Sequence, residues 1–238
     1  MVWHLLFESL AYLVAFRLYL RERARAGDFL DDSTRWTIVA AAVAGAVFGS
    51  KFLYWLEDPA RTWQNIANIS YLIGGKTVVG ALLGGTIAVE LVKRRIHITR
   101  RTGDLFAVPL AAGIAIGRIG CFLAGTADDT HGIATSLPWA VDLGDGVRRH
   151  PVQLYECFAM TLLAIALSRI RAEEGGRFRL FLFSYCAWRV FVDFLKPGIP
   201  FAGMTVLQWC CLAAAAWYAR DARRLLANPL PRSVQVNG

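Results

Sequence analysis

Long apolar blocks, separated by short and mostly basic connections, organise this chain, and short amphipathic repeats are not its dominant pattern. Seven blocks run approximately over Val2–Leu20, Trp36–Leu56, Tyr71–Val92, Asp104–Ala124, Val152–Ile170, Phe178–Leu195 and Met204–Arg220. A helix needs about 20 apolar residues to cross the hydrocarbon layer, and each block is near that length. The pattern predicts an all-α integral membrane protein with seven transmembrane helices. It also predicts one domain over residues 1–226 with an external loop at 125–150, and a flexible tail at 227–238 carrying Pro229 and Pro231. The first block follows no basic leader and reads as a retained helix. Glycines at Gly74-Gly75, Gly84-Gly85 and from Gly113 to Gly120 suit close helix packing in the third and fourth blocks.

The polar positions inside these blocks are as informative as the apolar ones. His4, Glu8, Lys51, Lys76, Arg118, Glu156, Arg189, Asp193 and Gln208 lie within them. Ionisable groups in hydrocarbon are costly, so they usually face a cavity and mark function. Lys51, Arg118, Arg189 and Asp193 fall in the last third of blocks two, four and six; His4, Glu8, Lys76, Glu156 and Gln208 fall towards the start of the odd-numbered blocks. Opposite chain directions bring all nine to one membrane depth. Cations and carboxylates gathered there suggest a site for the anionic part of a lipid. A plainer alternative is that several simply reach the outer interface. Arg17, near the end of its block, can extend to the interface.

Charge sets the direction. Basic residues cluster after the odd-numbered blocks, as at Arg21, Arg23, Arg25, Lys93, Arg94, Arg95, Arg169, Arg171 and Arg220. The opposite connections hold only Arg61, Arg148, Arg149 and Lys196. The positive-inside rule therefore predicts an external N-terminus and a cytoplasmic C-terminus. The net charge of +8 is explained by these flanks, and no nucleic-acid-reading motif accompanies it. The 238 residues are 56% hydrophobic, which fits one helical bundle. Cys121, Cys157, Cys186, Cys210 and Cys211 show neither zinc-ligand spacing nor a disulfide framework. Asp128, Asp129 and His131 lack convincing metal spacing and read as a solvated loop; Asp142 and Asp145 read as turn residues. No metal or cofactor is expected.

Three ordered motifs carry the chemistry. Gly117-Arg118-Ile119-Gly120 closes the fourth block, Pro138-Trp139-Ala140 lies in the external loop, and Arg149-His150-Pro151-Val152-Gln153-Leu154-Tyr155-Glu156 enters the fifth block. Gly74 to Gly84, Trp188 to Leu195 and Gly203 to Trp209 extend the pattern on both sides. In this ordered set the chain resembles the prolipoprotein diacylglyceryl transferase family over roughly Gly74 to Trp209, with the first two blocks loosely similar.

The resemblance implies transfer of the diacylglyceryl group of phosphatidylglycerol to the lipobox cysteine of a prelipoprotein. It implies a bacterial inner membrane location and a site facing outward, with glycerol phosphate leaving. Arg118 and Arg189 would clamp the phosphodiester, because guanidinium binds phosphate in a fixed bidentate way. Glu156 and Asp193 would hold the arginines; Gln153 and Tyr155 would orient loop or headgroup by hydrogen bonds. Gly132 and His150 of the loop join the substrate-binding set; His150 would organise the loop or transfer a proton. His4 falls near a first-helix tyrosine of the family.

Two positions depart from the family. Its third-helix histidine aligns with Val79, so Lys76, one helical turn away, becomes a candidate base if desolvated, or a third phosphate ligand, the role favoured here. Its asparagine after the arginine aligns with Cys121, which is either a small packing residue or a thiol acidified by Arg118. The departures leave room for a divergent enzyme with another acceptor. A lipid transporter or binding protein remains a third reading, although it should offer polar groups towards both faces.

Overall fold

The computed structural model describes residues 2–27, 30–127 and 130–227. It is built of helices: α1 (Val2–Ala26), α2 (Asp32–Glu57), α3 (Pro59–Gln64), α4 (Ile69–Gly74), α5 (Val78–Arg95), α6 (Asp104–Ala124), α7 (Val152–Arg169), α8 (Gly176–Val192) and α9 (Val206–Ala227). Single 3₁₀ turns follow α6 and α8, at Gly125–Ala127 and Asp193–Leu195. A minimal antiparallel hairpin, β1 (Val141–Asp142) with β2 (Arg148–Arg149), lies between α6 and α7. Among the described residues, α1, α2, α5, α6, α7, α8 and α9 are the long helices, from 17 to 26 residues, and they correspond to the seven apolar blocks. By length and composition, α2, α6 and α7 are apolar enough to cross a membrane. The other four carry more charge, such as Arg177 and Arg179 in the first turn of α8.

Burial runs opposite to that of a water-soluble protein. Phe48, Phe52, Phe158 and Trp217 are exposed, whereas Arg118, Gln153, Glu156, Arg189 and Asp193 are buried. Apolar surfaces with charges inside suit lipid surroundings.

One compact unit comprises residues 28–100 and 199–211. Within it α2 and α5 pack through glycines four residues apart, Gly45 and Gly49 against Gly80 and Gly84. A Cβ on Gly49 would run into the Gly80 carbonyl and lie 2.8 Å from the Gly84 Cα. Only glycine allows backbones this close. The expected third helix over Tyr71–Val92 is a correction: it is interrupted at residues 75–77, between α4 and α5. Thr77 is the N-cap of α5, its Oγ1 accepting from the Gly80 N–H at 3.2 Å, and its own N–H donates to Ser50 Oγ at 2.9 Å. Lys51 donates to the carbonyls of Ile73 and Gly75, satisfying acceptors left open where α4 ends. Three hydrogen-bonding residues thus stabilise a break that hydropathy does not reveal.

The other unit comprises residues 1–27, 101–198 and 212–238, of which those named above are described. Here α1 lies along the glycines of α6: a Cβ on Gly120 would sit 2.8 Å from Phe7 Cβ, and one on Gly113 3.4 Å from Ala15 Cβ. Asp104 at the start of α6 accepts from the Gly175 and Phe178 N–H groups at 2.7 and 2.9 Å, capping α8. Around that end, Arg177 pairs with Glu22 at 2.8 Å, and Arg179 with Glu173 and Asp221, each at 2.9 Å.

Candidate active site

Three buried stripes end in charge within this second unit. On α6 the small residues Ala107, Ala111 and Ala115 lead to Arg118. On α7, Gln153 and Glu156 continue a stripe through Met160 and Leu167. On α8, Leu182 and Tyr185 lead to Arg189 and then Asp193. Helical periodicity carries the charged groups inward on the faces that build the core.

Their side chains meet at Glu156, which is 1% exposed. One carboxylate oxygen, Oε1, accepts from Arg189 Nη1 at 2.8 Å. The other, Oε2, accepts from Lys196 Nζ at 2.7 Å and lies 3.2 Å from Arg118 Nε. Asp193 Oδ2 lies 2.9 Å from Arg189 Nη2, and Oδ1 lies 3.5 Å from Lys196 Nζ. Such charges tolerate burial only because they are mutually paired. Arg118 Nη1 lies 4.0 Å from Cys121 Sγ, and Arg189 Nε has no hydrogen-bond partner among the described residues. A guanidinium has five N–H donors, so the cluster retains capacity for an anion.

The segment between α6 and α7 is tied to the same helix ends. Trp139 Nε1 donates to Tyr155 Oη at 2.7 Å, and the His150 ring meets Tyr155 edge-on, with centroids 6.3 Å apart. The His150 N–H donates to the Ile133 carbonyl at 3.1 Å, and a Cβ on Gly132 would sit 2.8 Å from His150 Cβ. The Ile133 N–H donates to the Leu195 carbonyl at 2.8 Å, beside Lys196. Gly132, His150 and Tyr155 therefore hold loop to bundle. Asp142 accepts from the Gly144, Asp145 and Gly146 N–H groups, which hold its carboxyl below the usual carboxylate range and make it a turn residue. The expectations for Asp128 and Asp129 lie outside the described residues. Among the described residues no three His, Cys, Asp or Glu side chains are grouped for a metal ion.

The expected layer of nine is not uniform. Arg118, Glu156, Arg189 and Asp193 come together, with Cys121 beside Arg118. His4 is half-buried, 3.7 Å from Glu8 on α1, and its Cα lies where α1 packs on Gly120. Gln208, in the other unit, is a capping residue. Its Oε1 accepts from the Thr205 N–H at 2.8 Å, while Thr205 Oγ1 accepts from the Gln208 N–H at 3.2 Å. Lys76 lies in the break before α5 and is exposed; it is therefore not on one helical face with Val79, which corrects that expectation. Val79 is fully buried at 1% exposure.

Lys196 is the residue that sequence reasoning misses. It counts there as a flanking charge, yet its side chain is 10% exposed and touches both carboxylates. Burial, with Arg189 and Arg118 nearby, pulls its ammonium down to about 8 against the opposing pull of Glu156 and Asp193. The signal was present as spacing: Arg189, Asp193 and Lys196 recur at four and then three residues.

The sequence pattern of the prolipoprotein diacylglyceryl transferase family matches residues 1–219. The chain is 32% identical over 240 residues to the phosphatidylglycerol–prolipoprotein diacylglyceryl transferase of Bordetella bronchiseptica, covering 90% of each chain. It is 31% identical over 207 residues to that of Clostridium tetani, covering 82% of this chain and 81% of the relative. Against the Nitrosomonas europaea protein of the same name, identity is 28% over 237 residues, with 87% and 81% covered.

Proposed function

Because the chain belongs to the prolipoprotein diacylglyceryl transferase family, we propose that it moves the diacylglyceryl group of phosphatidylglycerol to the lipobox cysteine of a prelipoprotein. The observation that supports this most is the buried cluster itself. Arg118, Arg189 and Lys196 stand against Glu156 and Asp193, a formal surplus of one positive charge suited to a phosphodiester.

In the reaction the acceptor sulfur, as thiolate, attacks the glyceryl carbon that bears the phosphate. The S–C bond forms, the C–O bond breaks, and its electron pair leaves on the oxygen of glycerol phosphate. Arg118 and Arg189 neutralise the charge gathering on that phosphate, Lys196 adds a third cation, and Glu156 and Asp193 hold the three in place. Prearranged donors in a dry site act strongly because they need no reorganisation. The seven long helices cross the bacterial inner membrane with the N-terminus outside, and the acceptor peptide approaches through residues 125–150. The thiol proton passes to a base. An unchanged pH–rate profile in Lys76→Gln would remove Lys76 from that role.

Complementation of cells depleted of the transferase, together with purified protein, phosphatidylglycerol and a lipobox peptide, tests the reading. A thioether-linked lipid on the peptide is expected, with loss of turnover in Arg118→Ala and Arg189→Ala. No thioether product under conditions where a known family enzyme works would overturn it.

A further inference from the structure

Gln153 is fully buried in the first turn of α7, at 0% exposure, and neither Nε2 nor Oε1 has a hydrogen-bond partner among the described residues. Buried polar side-chain atoms are almost always paired, so a doubly unpartnered amide calls for a ligand. Residues three apart share a helix face, and Gln153 precedes Glu156, the centre of the cation cluster, by three positions on one buried stripe. We infer that Gln153 reads the hydroxyl groups of the lipid headgroup and is the specificity-determining residue of this site. The inference rests on the reaction proposed above.

The chemistry of the two groups matches. The surrounding cations only donate, and Glu156 and Asp193 are engaged with them. A headgroup hydroxyl must both donate and accept, and a buried carboxamide without a partner among the described residues can do both. With the phosphate on Arg118 and Arg189, the glycerol hydroxyls lie a few bonds beyond it, within reach of the adjacent turn of α7. An ammonium headgroup would meet donors and cations instead. A site that hydrogen-bonds a hydroxyl rejects the analogue lacking it, because its own polar atoms are then left unpaired.

The test compares phosphatidylglycerol with phosphatidylpropanol, whose headgroup keeps the phosphodiester and lacks the hydroxyls. The wild-type enzyme should favour phosphatidylglycerol by at least ~10-fold in kcat/KM. Gln153→Met, close in shape and unable to donate, should bring the two substrates within about two-fold by losing rate on phosphatidylglycerol alone. Equal loss on both substrates would mean a structural amide and overturn the inference. So would a wild-type enzyme that does not discriminate, a result that needs no variant to fold. Absence of any wild-type turnover of phosphatidylglycerol would overturn the proposed reaction and this inference together, whereas turnover with undiminished discrimination in Gln153→Met would overturn the inference alone.

Discussion

Glu156 receives Arg118, Arg189 and Lys196 on its two oxygens and is itself buried. Removing its charge leaves Arg118 without a carboxylate and leaves Asp193 to Arg189 and Lys196. Glu156→Gln is therefore expected to cost about 3–5 kcal/mol, the scale of breaking a buried pair, and to lower thermal stability in detergent together with activity. A variant as stable as wild type would refute this account of the cluster. Lys196 makes a second claim at the same scale. Its ammonium is protonated below about 8 and neutral above it, so the site loses one of its three cations as pH rises. The KM for phosphatidylglycerol should climb between pH 7 and 9, and Lys196→Arg should flatten that rise because guanidinium stays charged. An identical pH profile in the two proteins would exclude Lys196 as the cause.

Two helix pairs, α2 with α5 and α1 with α6, pack by closeness of backbone at glycines. Gly49 approaches Gly80 and Gly84 so nearly that Gly49→Ala must push α2 from α5, at an expected cost of about 1–3 kcal/mol. Gly74 has open space around its Cβ position, and Gly74→Ala should alter thermal stability by no more than ~0.5 kcal/mol. Equal shifts in melting temperature for the two would contradict the glycine contact. The elements differ in how readily the sequence discloses them. Apolar length gives the seven long helices, and glycine clusters point to the packing faces of α5 and α6. The break at residues 75–77 escapes hydropathy because it depends on Thr77, Ser50 and Lys51, which meet only after α2 and α4 are in place. Arg118 and Glu156 are legible as charges in apolar surroundings. Gln208 is legible in principle as the end of a Thr-x-x-Gln capping box, yet its position inside an apolar block suggests a site. Lys196 escapes because it stands one residue beyond a block and resembles a topological charge.

At the scale of the whole molecule, the residues near the start of α8 and those near its end have separate tasks. Arg177 and Arg179 bind carboxylates on α1, on α9 and at Glu173, while Arg189 joins the buried cluster around Glu156. Polar groups closed by ion pairs at one end and bearing spare donors at the other support chemistry at a single face, in preference to passage through the protein. In the orientation proposed from the basic flanks, that face lies outside. A fluorescent protein fused after residue 227 should glow, and alkaline phosphatase at the same point should stay inactive; the reverse pattern would overturn the orientation. The surplus positive charge has one more consequence, for the rhythm of turnover. Phosphatidylglycerol brings a single negative charge, but glycerol phosphate departs as a monoester bearing about −1.5 to −2 near neutral pH. At the proposed site the product should be held more strongly than the lipid, so its escape is expected to set the pace. Added glycerol phosphate should compete with phosphatidylglycerol, and moderate salt should quicken the cycle by loosening what the cluster has just released.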